Sequence, residues 1–305
     1  MSETDRSLVS VIIPVYNDPC GLSETVESIL QQDLLESVEI IIVDNDSTDD
    51  TRNVAHEYAD EHGRVFVAVE DDIQSSYAAR NTGIARARGD VLVFIDADIT
   101  ADSDWLETIV SEIHGTEYLT YDVEVYVPEG RDTLVARYNA HTSFPIEVYA
   151  KERDFGGGGC IAVRRDVFED VGLFDHRLIS GGDAEFGNRV VASGREIKFT
   201  PDTRVYHPAR TSLRSQIKKE IRVGRGFCQL QRYYPNRYGR PGIPPRPSGS
   251  GQQTGASELN TRERLVFVLL GYLFLGCRGL GYVLELVAGE GRGRNGDSTP
   301  PHNVD

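Results

Sequence analysis

A chain of 305 residues can bury a full core and reads as one elaborated domain rather than two independent ones. Its net charge of -16 argues against a general nucleic-acid binder, which needs a broad basic face. Lysine occurs only at Lys151, Lys198, Lys218 and Lys219, and an acidic, lysine-poor surface suits a soluble protein in a high-salt cytosol, as in a halophile. Cys20, Cys160, Cys228 and Cys277 are far apart and lack metal-ligand spacing, so free thiols in a reducing compartment are expected. The opening MSETDRS lacks the basic and apolar regions of a signal peptide, so secretion by that route is not expected.

Taken in chain order, apolar runs alternate with helical patterns. LVSVIIPV (8–15) is a buried-strand run, after which Leu22, Val26, Ile29 and Leu30 recur at helical spacing. VEIIIV (38–43) is a second strand, and the STDDT that follows offers Ser47 or Thr48 as N-cap of a helix through Val54, Ala55 and Tyr58. A third strand is expected over 64–69, a third helix over 77–88 and a fourth strand over 91–95. Four such alternations predict an α/β fold with a parallel sheet covered on both faces.

In an open α/β sheet the ligand crevice lies at the carboxyl ends of the strands. Those ends read PVYND, VDNDSTDDT and IDADI, with aspartate in all three. Asp96 and Asp98 in FIDADIT fit three roles: a phosphoryl-accepting nucleophile with its acid/base, a pair holding a divalent cation against a diphosphate, or plain caps of the next helix. An edge crowded with carboxylates is hard to sustain without a cation, which makes a divalent ion with a nucleotide the simplest account of all three clusters. On an extended backbone residues i and i+2 face the same way, so one intervening residue would let both carboxylates converge.

Six segments, in order, resemble the family 2 glycosyltransferases with the GT-A fold: VSVIIPVYN, VDNDSTDDT, AARNTGIARARGD, FIDAD, GGGGCIAVRRDVFEDVGLFD and GGDAEFGNR. They cover residues 8–210. The resemblance implies a GT-A-like, mostly parallel sheet flanked by helices, and transfer of a sugar from a nucleotide-sugar to an acceptor hydroxyl, usually with inversion. It implies that Pro14, Tyr16 and Asn17 line the base and ribose pocket, that Asp44 hydrogen-bonds the base, and that Arg80 and Asn81 approach the nucleotide. Gly83 would allow close approach of the backbone or simply pack on the sheet. Asp96 would sit near ribose and metal, Asp98 would be the main protein ligand to Mn2+ or Mg2+, and Asp183 would be the catalytic base.

The chain also departs from the family pattern. The second-strand motif, usually Asp-Asp-Gly-Ser, is here Asp44, Asn45, Asp46 and Ser47, so one charge is missing. The acceptor-side motif usually has Glu before the catalytic Asp; here Gly182 precedes Asp183, with Glu185 the only other acid in GGDAEFGNR. A phosphatase resembling haloacid dehalogenase would end its first strand in the Asp pair, whereas two complete strand-helix units and part of a third precede it here. GGGG (156–159) is no P-loop, since no Gly-Lys-Ser/Thr follows; it reads as a lid loop or a plain turn. His207 in VYHP resembles a further metal ligand of some relatives, or is structural.

From Arg210 to Arg246 the only acid is Glu220, and GRPGIPPRPSGSGQQTG (239–255) reads as a Pro/Gly/Ser linker. The apolar run 265–289 is long enough to span a bilayer but is interrupted by Arg278 and Glu285, so a span, an interfacial helix and a buried helix all fit. A basic segment leading into an apolar one suggests the cytoplasmic leaflet of the cell membrane. The expected organisation is a nucleotide-sugar-binding half (1–100), an acceptor half of the same domain (101–208), a basic region and linker (209–264), the apolar segment (265–289) and a polar tail (290–305). With a halophilic composition, the resemblance implies an archaeal enzyme extending a dolichol-phosphate-linked glycan for surface N-glycoproteins. The partners would be a nucleotide-sugar donor, a lipid-linked glycan acceptor and a membrane surface, with no nucleic acid. A non-catalytic nucleotide-binding membrane subunit is the alternative that Gly182 raises.

Overall fold

The computed structural model describes residues 8–32, 37–242 and 259–288. The MSETDRS segment, most of the Pro/Gly/Ser stretch and the tail beyond residue 288 lie outside the described residues. The first strand, β1 (Val9–Val15), is buried along its whole length. Helix α1 (Pro19–Leu30) starts where Pro19 pre-sets φ and the Asp18 side chain accepts a hydrogen bond from Gly21 N at 3.0 Å. β2 (Val38–Asp44) follows, then α2 (Thr51–Glu61), β3 (Val65–Val69), α3 (Ser76–Arg86) and β4 (Val91–Phe94).

The start of α2 differs from expectation, because Asp50 rather than Ser47 or Thr48 occupies the N-cap position. Asp46 takes a left-handed conformation (φ 59°), which bends the chain before the helix can begin. Ser47 and Thr48 are then free to hold the end of β1. The Ser47 hydroxyl accepts from Asn17 N at 3.0 Å, and Thr48 N donates to Asn17 Oδ1 at 2.8 Å.

Beyond β4 come β5 (Thr100–Ala101), α4 (Trp105–Ile113), β6 (Tyr118–Tyr126), α5 (Leu134–Thr142), α6 (Ile146–Arg153), β7 (Ile161–Arg164), α7 (Arg165–Val171), α8 (Gly182–Ala192) and β8 (Ile197–Pro208). The strands form one eight-stranded sheet in the order β3-β2-β1-β4-β7-β6-β8-β5. β3, β2, β1 and β4 are parallel, as the alternating pattern predicts. β7 then pairs antiparallel with β4 and β6, β8 runs parallel to β6, and β5 closes the edge antiparallel to β8. The sheet is therefore mixed: β1 to β4 form one parallel block, and a second parallel pair, β6 and β8, is joined to it through the antiparallel β7.

Alternate residues of the strands feed two cores, one on each face. Val11 and Ile13 join Leu22, Ile29, Trp105 and Tyr121 on one side. Ile12 joins Phe94, Phe174, Phe186 and Ile84 on the other. Gly83 belongs to this packing, since a Cβ there would come within 2.4 Å of Ile12 Cγ2; it seats α3 on the sheet.

The basic stretch after residue 210 is helical: α9 (Leu213–Tyr233), followed by α10 (Pro235–Tyr238). The apolar run forms α11 (Thr261–Ala288), the one helix among the described residues long and apolar enough to cross a membrane. α11 packs along α9 at backbone contact: a Cβ on Gly224 would lie 1.9 Å from Arg278 O, and one on Gly281 2.1 Å from Ile221 O. The two charges that interrupt the apolar run face this seam. Arg278 pairs with Glu220 at 2.6 Å, while Glu285 receives Arg225 at 2.8 Å and Gln229 at 3.0 Å. Removing one partner of the buried Glu285 pair is expected to cost about 3–5 kcal/mol. The opposite side of α11 exposes Leu265, Leu269, Tyr272, Leu280, Val283 and Val287.

Candidate active site

The ends of β1, β2 and β4 lie side by side in the parallel half of the sheet, as the crevice rule requires. Pro14 is buried inside β1, so of the three residues expected at the base pocket only Tyr16 and Asn17 present exposed side chains. Asn17 itself sits at φ 52°, held by Ser47 and Thr48. Asp44 is fully buried with both oxygens engaged, Oδ2 by Arg52 at 2.6 Å and Oδ1 by Ser47 N at 3.3 Å. Asn45, where the family pattern has an acid, donates through Nδ2 to Glu70 O at 3.0 Å and Ile73 O at 3.1 Å. A carboxylate could not donate these bonds, so the amide ties down the segment that leads into α3.

Arg80 is buried on α3 and its guanidinium meets Asp96 Oδ1 at 2.5 Å, with Nε left without a partner. The Asn81 amide meets the backbone of Phe174, donating to O at 2.8 Å and accepting from N at 3.1 Å, and so pins the segment between α7 and α8.

A turn follows Asp96, closed by Ile99 N donating to Asp96 O at 3.1 Å, and the two carboxylates take different partners. Asp96 turns to Arg80, and Asp98 turns to His207 on β8, with Oδ2 3.7 Å from Nε2. Burial pushes the Asp98 carboxyl up, with Asp96 and Asp18 adding to the rise and His207 and Arg210 opposing it. His207 Nδ1 lies 2.7 Å from Pro208 O, and its ring packs against Phe144. With Nδ1–H donating to that carbonyl, the lone pair of Nε2 faces a carboxylate. A cation or a proton between them relieves the repulsion.

Asp183 lies in the first turn of α8, which begins after Gly181 in a left-handed conformation (φ 85°). Burial pushes its carboxyl up, opposed by Arg80 and by the backbone N–H groups of Ala184 and Gly158. The Tyr77 hydroxyl, itself pushed up by burial and by Asp183, stays protonated; it donates to Asp183 Oδ1 at 3.4 Å and accepts from Gly182 N at 2.9 Å. The departure at Gly182 has a physical reason here. A Cβ at that position would meet the Tyr77 ring at 2.8 Å, so the ring occupies the space an acidic side chain would need. Glu185 is fully buried and paired with Arg189 at 2.7 Å, and Arg189 also holds the carbonyls of Val171, Gly172 and Leu173. Glu185 thereby anchors α8 from inside the core.

The glycine loop closes the constellation. A Cβ on Gly159 would meet Asp96 Cγ at 2.8 Å, and one on Gly158 would meet Arg80 Nη2 at 3.2 Å. None of the four glycines has positive φ, so space rather than backbone conformation demands them. The loop is thus a wall linking Asp183 to the Arg80–Asp96 pair. Tyr77 is the residue that sequence reasoning missed, and the missing acid at position 182 was the only signal of it. The four cysteines are free, and the Cys160 thiol, pushed up to about 12 by burial, is inert.

Among the described residues no group of three or more His, Cys, Asp or Glu side chains is placed to hold a metal by itself. Asp98 and His207 offer an oxygen and a nitrogen, a donor set that suits Mn2+ when ligand oxygens complete the shell. The constellation therefore has two centres: a carboxylate–imidazole pair beside Asp96, and a buried, hydrogen-bonded carboxylate at Asp183.

Residues 10–172 match the family model for glycosyl transferase family 2. The chain is 37% identical over 225 residues to the glycosyltransferase AglE of Haloferax volcanii, covering 73% of each chain. It is 31% identical over 192 residues to the glucosyl-dolichyl phosphate glucuronosyltransferase of the same organism, covering 57% of this chain and 58% of that one. The fold superposes on the mannosyltransferase PcManGT from Pyrobaculum calidifontis, solved with GDP-Man and Mn2+, with a TM-score of 0.57 at 19% identity over 94% of this chain and 77% of that one. The fold is GT-A-like. The chain belongs to glycosyltransferase family 2 and is a glycosyltransferase. The phosphatase reading of Asp96 and Asp98 falls with this assignment.

Proposed function

We propose that this enzyme transfers a sugar of the hexose type from a nucleotide-diphospho-sugar to a dolichol-phosphate-type lipid-linked glycan at the cytoplasmic face of the cell membrane, for the N-glycans of surface proteins. The observation that carries the reading is Asp183: a buried carboxylate, aimed by Tyr77 and Gly158, beside the Arg80–Asp96 pair. Two relatives support the setting, one of them named for a dolichyl phosphate substrate. The donor expectation follows from the GDP-Man held by the structural neighbour.

In this mechanism Asp183 takes the proton of the acceptor hydroxyl as that oxygen bonds to the anomeric carbon. The bond from that carbon to the diphosphate breaks on the opposite face, which inverts the configuration. Asp98 and His207, with Asp96 nearby, would hold Mn2+ or Mg2+, whose charge neutralises the departing diphosphate when bound. Arg80 holds Asp96 in place and brings its own positive charge to the same side. Tyr16 and Asn17 offer the exposed surface for base and ribose, and Asp44 supports it from beneath. Tyr77 fills the position of the missing acid, so Gly182 gives no reason to prefer a non-catalytic subunit. Incubating purified enzyme with labelled donors and membrane extract tests the reading. Lipid-linked product from one donor is expected, and the absence of transfer from every donor would reject it.

The attachment follows from α11. If it spanned the bilayer, α9 would be drawn in beside it with Lys218, Arg222, Arg225 and Arg232, because the two helices touch at backbone distance. Charges at the centre of a bilayer cost about 2.5–3.5 kcal/mol each even on the mildest scale. α11 therefore lies on the membrane, apolar side down, with its charged side bound to α9. Leu269→Glu combined with Val283→Glu should weaken vesicle binding by about tenfold or more, since each exposed apolar side chain contributes about 1.5–3 kcal/mol when buried. Both positions face away from α9, so the melting temperature should hold. Undiminished sedimentation with vesicles in high salt would place the anchor elsewhere.

A further inference from the structure

Among the described residues, four that are not glycine have positive φ: Asn17, Asp46, Asp154 and Phe144. Asn and Asp visit the left-handed region readily, because a short polar side chain can hydrogen-bond locally. Phenylalanine does not. The φ of 53° at Phe144 is an outlier for a bulky residue, and Pro145 adds a second restriction, since proline pushes its predecessor toward extended backbone. Such a conformation persists only where the surroundings impose it, and it gathers where the placement of a side chain matters to function.

One buried amide supplies much of the constraint. Asn139 on α5 donates through Nδ2 to Ser143 Oγ at 2.7 Å and to Gln216 Oε1 at 3.3 Å, and its Oδ1 accepts from Arg210 N at 2.9 Å. Ser143 directly precedes Phe144, and Arg210 follows shortly after His207, so a single side chain fixes both stretches. Gln216 donates onward to Glu220 at 3.0 Å, and Glu220 is held by Arg278 of α11. On the far side of the strained residue, Ile146 N donates to Phe144 O at 2.8 Å as α6 begins. Held by these ties, the Phe144 ring meets the His207 imidazole at 5.0 Å between centroids, tilted by 43°, and takes Lys219 Nζ at 5.5 Å.

The contact falls on a ring whose plane matters. His207 Nδ1 lies 2.7 Å from Pro208 O, and Nε2 lies 3.7 Å from Asp98 Oδ2. A hydrogen bond at Nδ1 selects the tautomer, but a ring hung on one bond still swings about it. A metal meets the Nε2 lone pair in the plane of the imidazole, so a swinging ring is a poorer ligand than a fixed one. Packing against a second ring restricts that motion.

We propose that Phe144 is a positioning residue for the divalent ion: its strained backbone presents the ring to His207 and keeps Nε2 turned toward Asp98. The proposal rests on the reading of Asp98 and His207 as the metal pair. Plain packing would ask only for apolar bulk at this position, whereas positioning asks for a flat ring. Phe144 carries no motif in the sequence; its partner lies on β8, and only the folded chain brings the two together.

The test loads the full chain with Mn2+ in the presence of inorganic pyrophosphate, which supplies further oxygen ligands. Two quantities are read: the dissociation constant of Mn2+, and the nitrogen modulation in the electron spin echo of the bound ion, which reports imidazole coordination independently of turnover. Phe144→Leu and Phe144→Met keep apolar bulk and lose the flat ring, while Phe144→Tyr keeps the ring. The first two should bind Mn2+ about tenfold more weakly, a typical cost of losing a group that orients a metal-ligating histidine, with weaker nitrogen modulation and a melting temperature near that of wild type. Phe144→Tyr should restore both quantities. Wild-type affinity and modulation in either ring-less variant overturn the proposal and leave Phe144 as packing. Failure of the underlying metal reading looks different: nitrogen modulation absent from wild type, or surviving in His207→Ala, removes His207 from the ligand set, and the proposal falls with it.

Discussion

Asp183→Asn should lower sugar-transfer turnover by about a hundredfold or more while donor affinity stays within about twofold, the pattern of a general base lost without loss of binding. The asparagine keeps an oxygen for the Gly158 and Ala184 N–H groups but cannot take the acceptor proton. Wild-type pH dependence should carry the same signature. Burial raises the Asp183 pKa, so the ionised base is lost as pH falls through a value above the ordinary aspartate range, and the acid limb of kcat/KM lies correspondingly high. In the variant that limb should vanish. The linkage sign makes a further check possible: with the folded pKa raised, stability is unaffected below the unfolded pKa and falls as pH rises through the folded one. At neutral pH the asparagine variant should therefore melt no lower than wild type. Near-normal turnover would move the base away from Asp183, and Glu185 could not inherit the role while it is buried against Arg189.

Tyr77→Phe separates aim from chemistry at the same site. The ring still fills the space above Gly182, but the hydrogen bonds to Asp183 and Gly182 N are gone. This pair also shows where sequence reading stops. Strands buried on both faces, such as VSVIIPV and VEIIIV, announce themselves because all but Ser10 and Glu39 are apolar, and the crevice at their ends follows from the parallel order. The glycine at 182 is visible as a departure, but the tyrosine that fills the gap lies 105 residues away and no local pattern points to it. For Asn81 and Glu185 the sequence places the helix but not the partner: the backbone of Phe174 for one, Arg189 for the other. The antiparallel β7 was missed because three apolar residues and an arginine carry no directional information. Arg278 and Glu285, in contrast, were legible as interruptions, and only the structure shows that both are answered by α9.

Asp98→Ala should abolish the divalent-ion-dependent part of donor binding and leave the fold intact. The two aspartates of FIDAD are unequal in this respect. Asp96 neutralises Arg80, whose guanidinium is buried, so its removal leaves an unpaired internal charge at a cost of about 3–5 kcal/mol and confounds any binding measurement. Asp98 has a side chain 39% exposed, and among the described residues its close polar partner is His207 Nε2. Its removal takes a carboxylate from a crowded edge and breaks no hydrogen-bonded ion pair. Calorimetric titration of the nucleotide-sugar with and without Mn2+ should then show a large Mn2+ effect in wild type and none in Asp98→Ala, with equal melting temperatures in the absence of metal. His207→Ala should fall between the two, since it deletes one candidate ligand while Asp98 remains. Full Mn2+-dependent donor binding by Asp98→Ala would sink the metal assignment. The contact to His207 would then be structural, and the diphosphate would have to be met without a metal at Asp98.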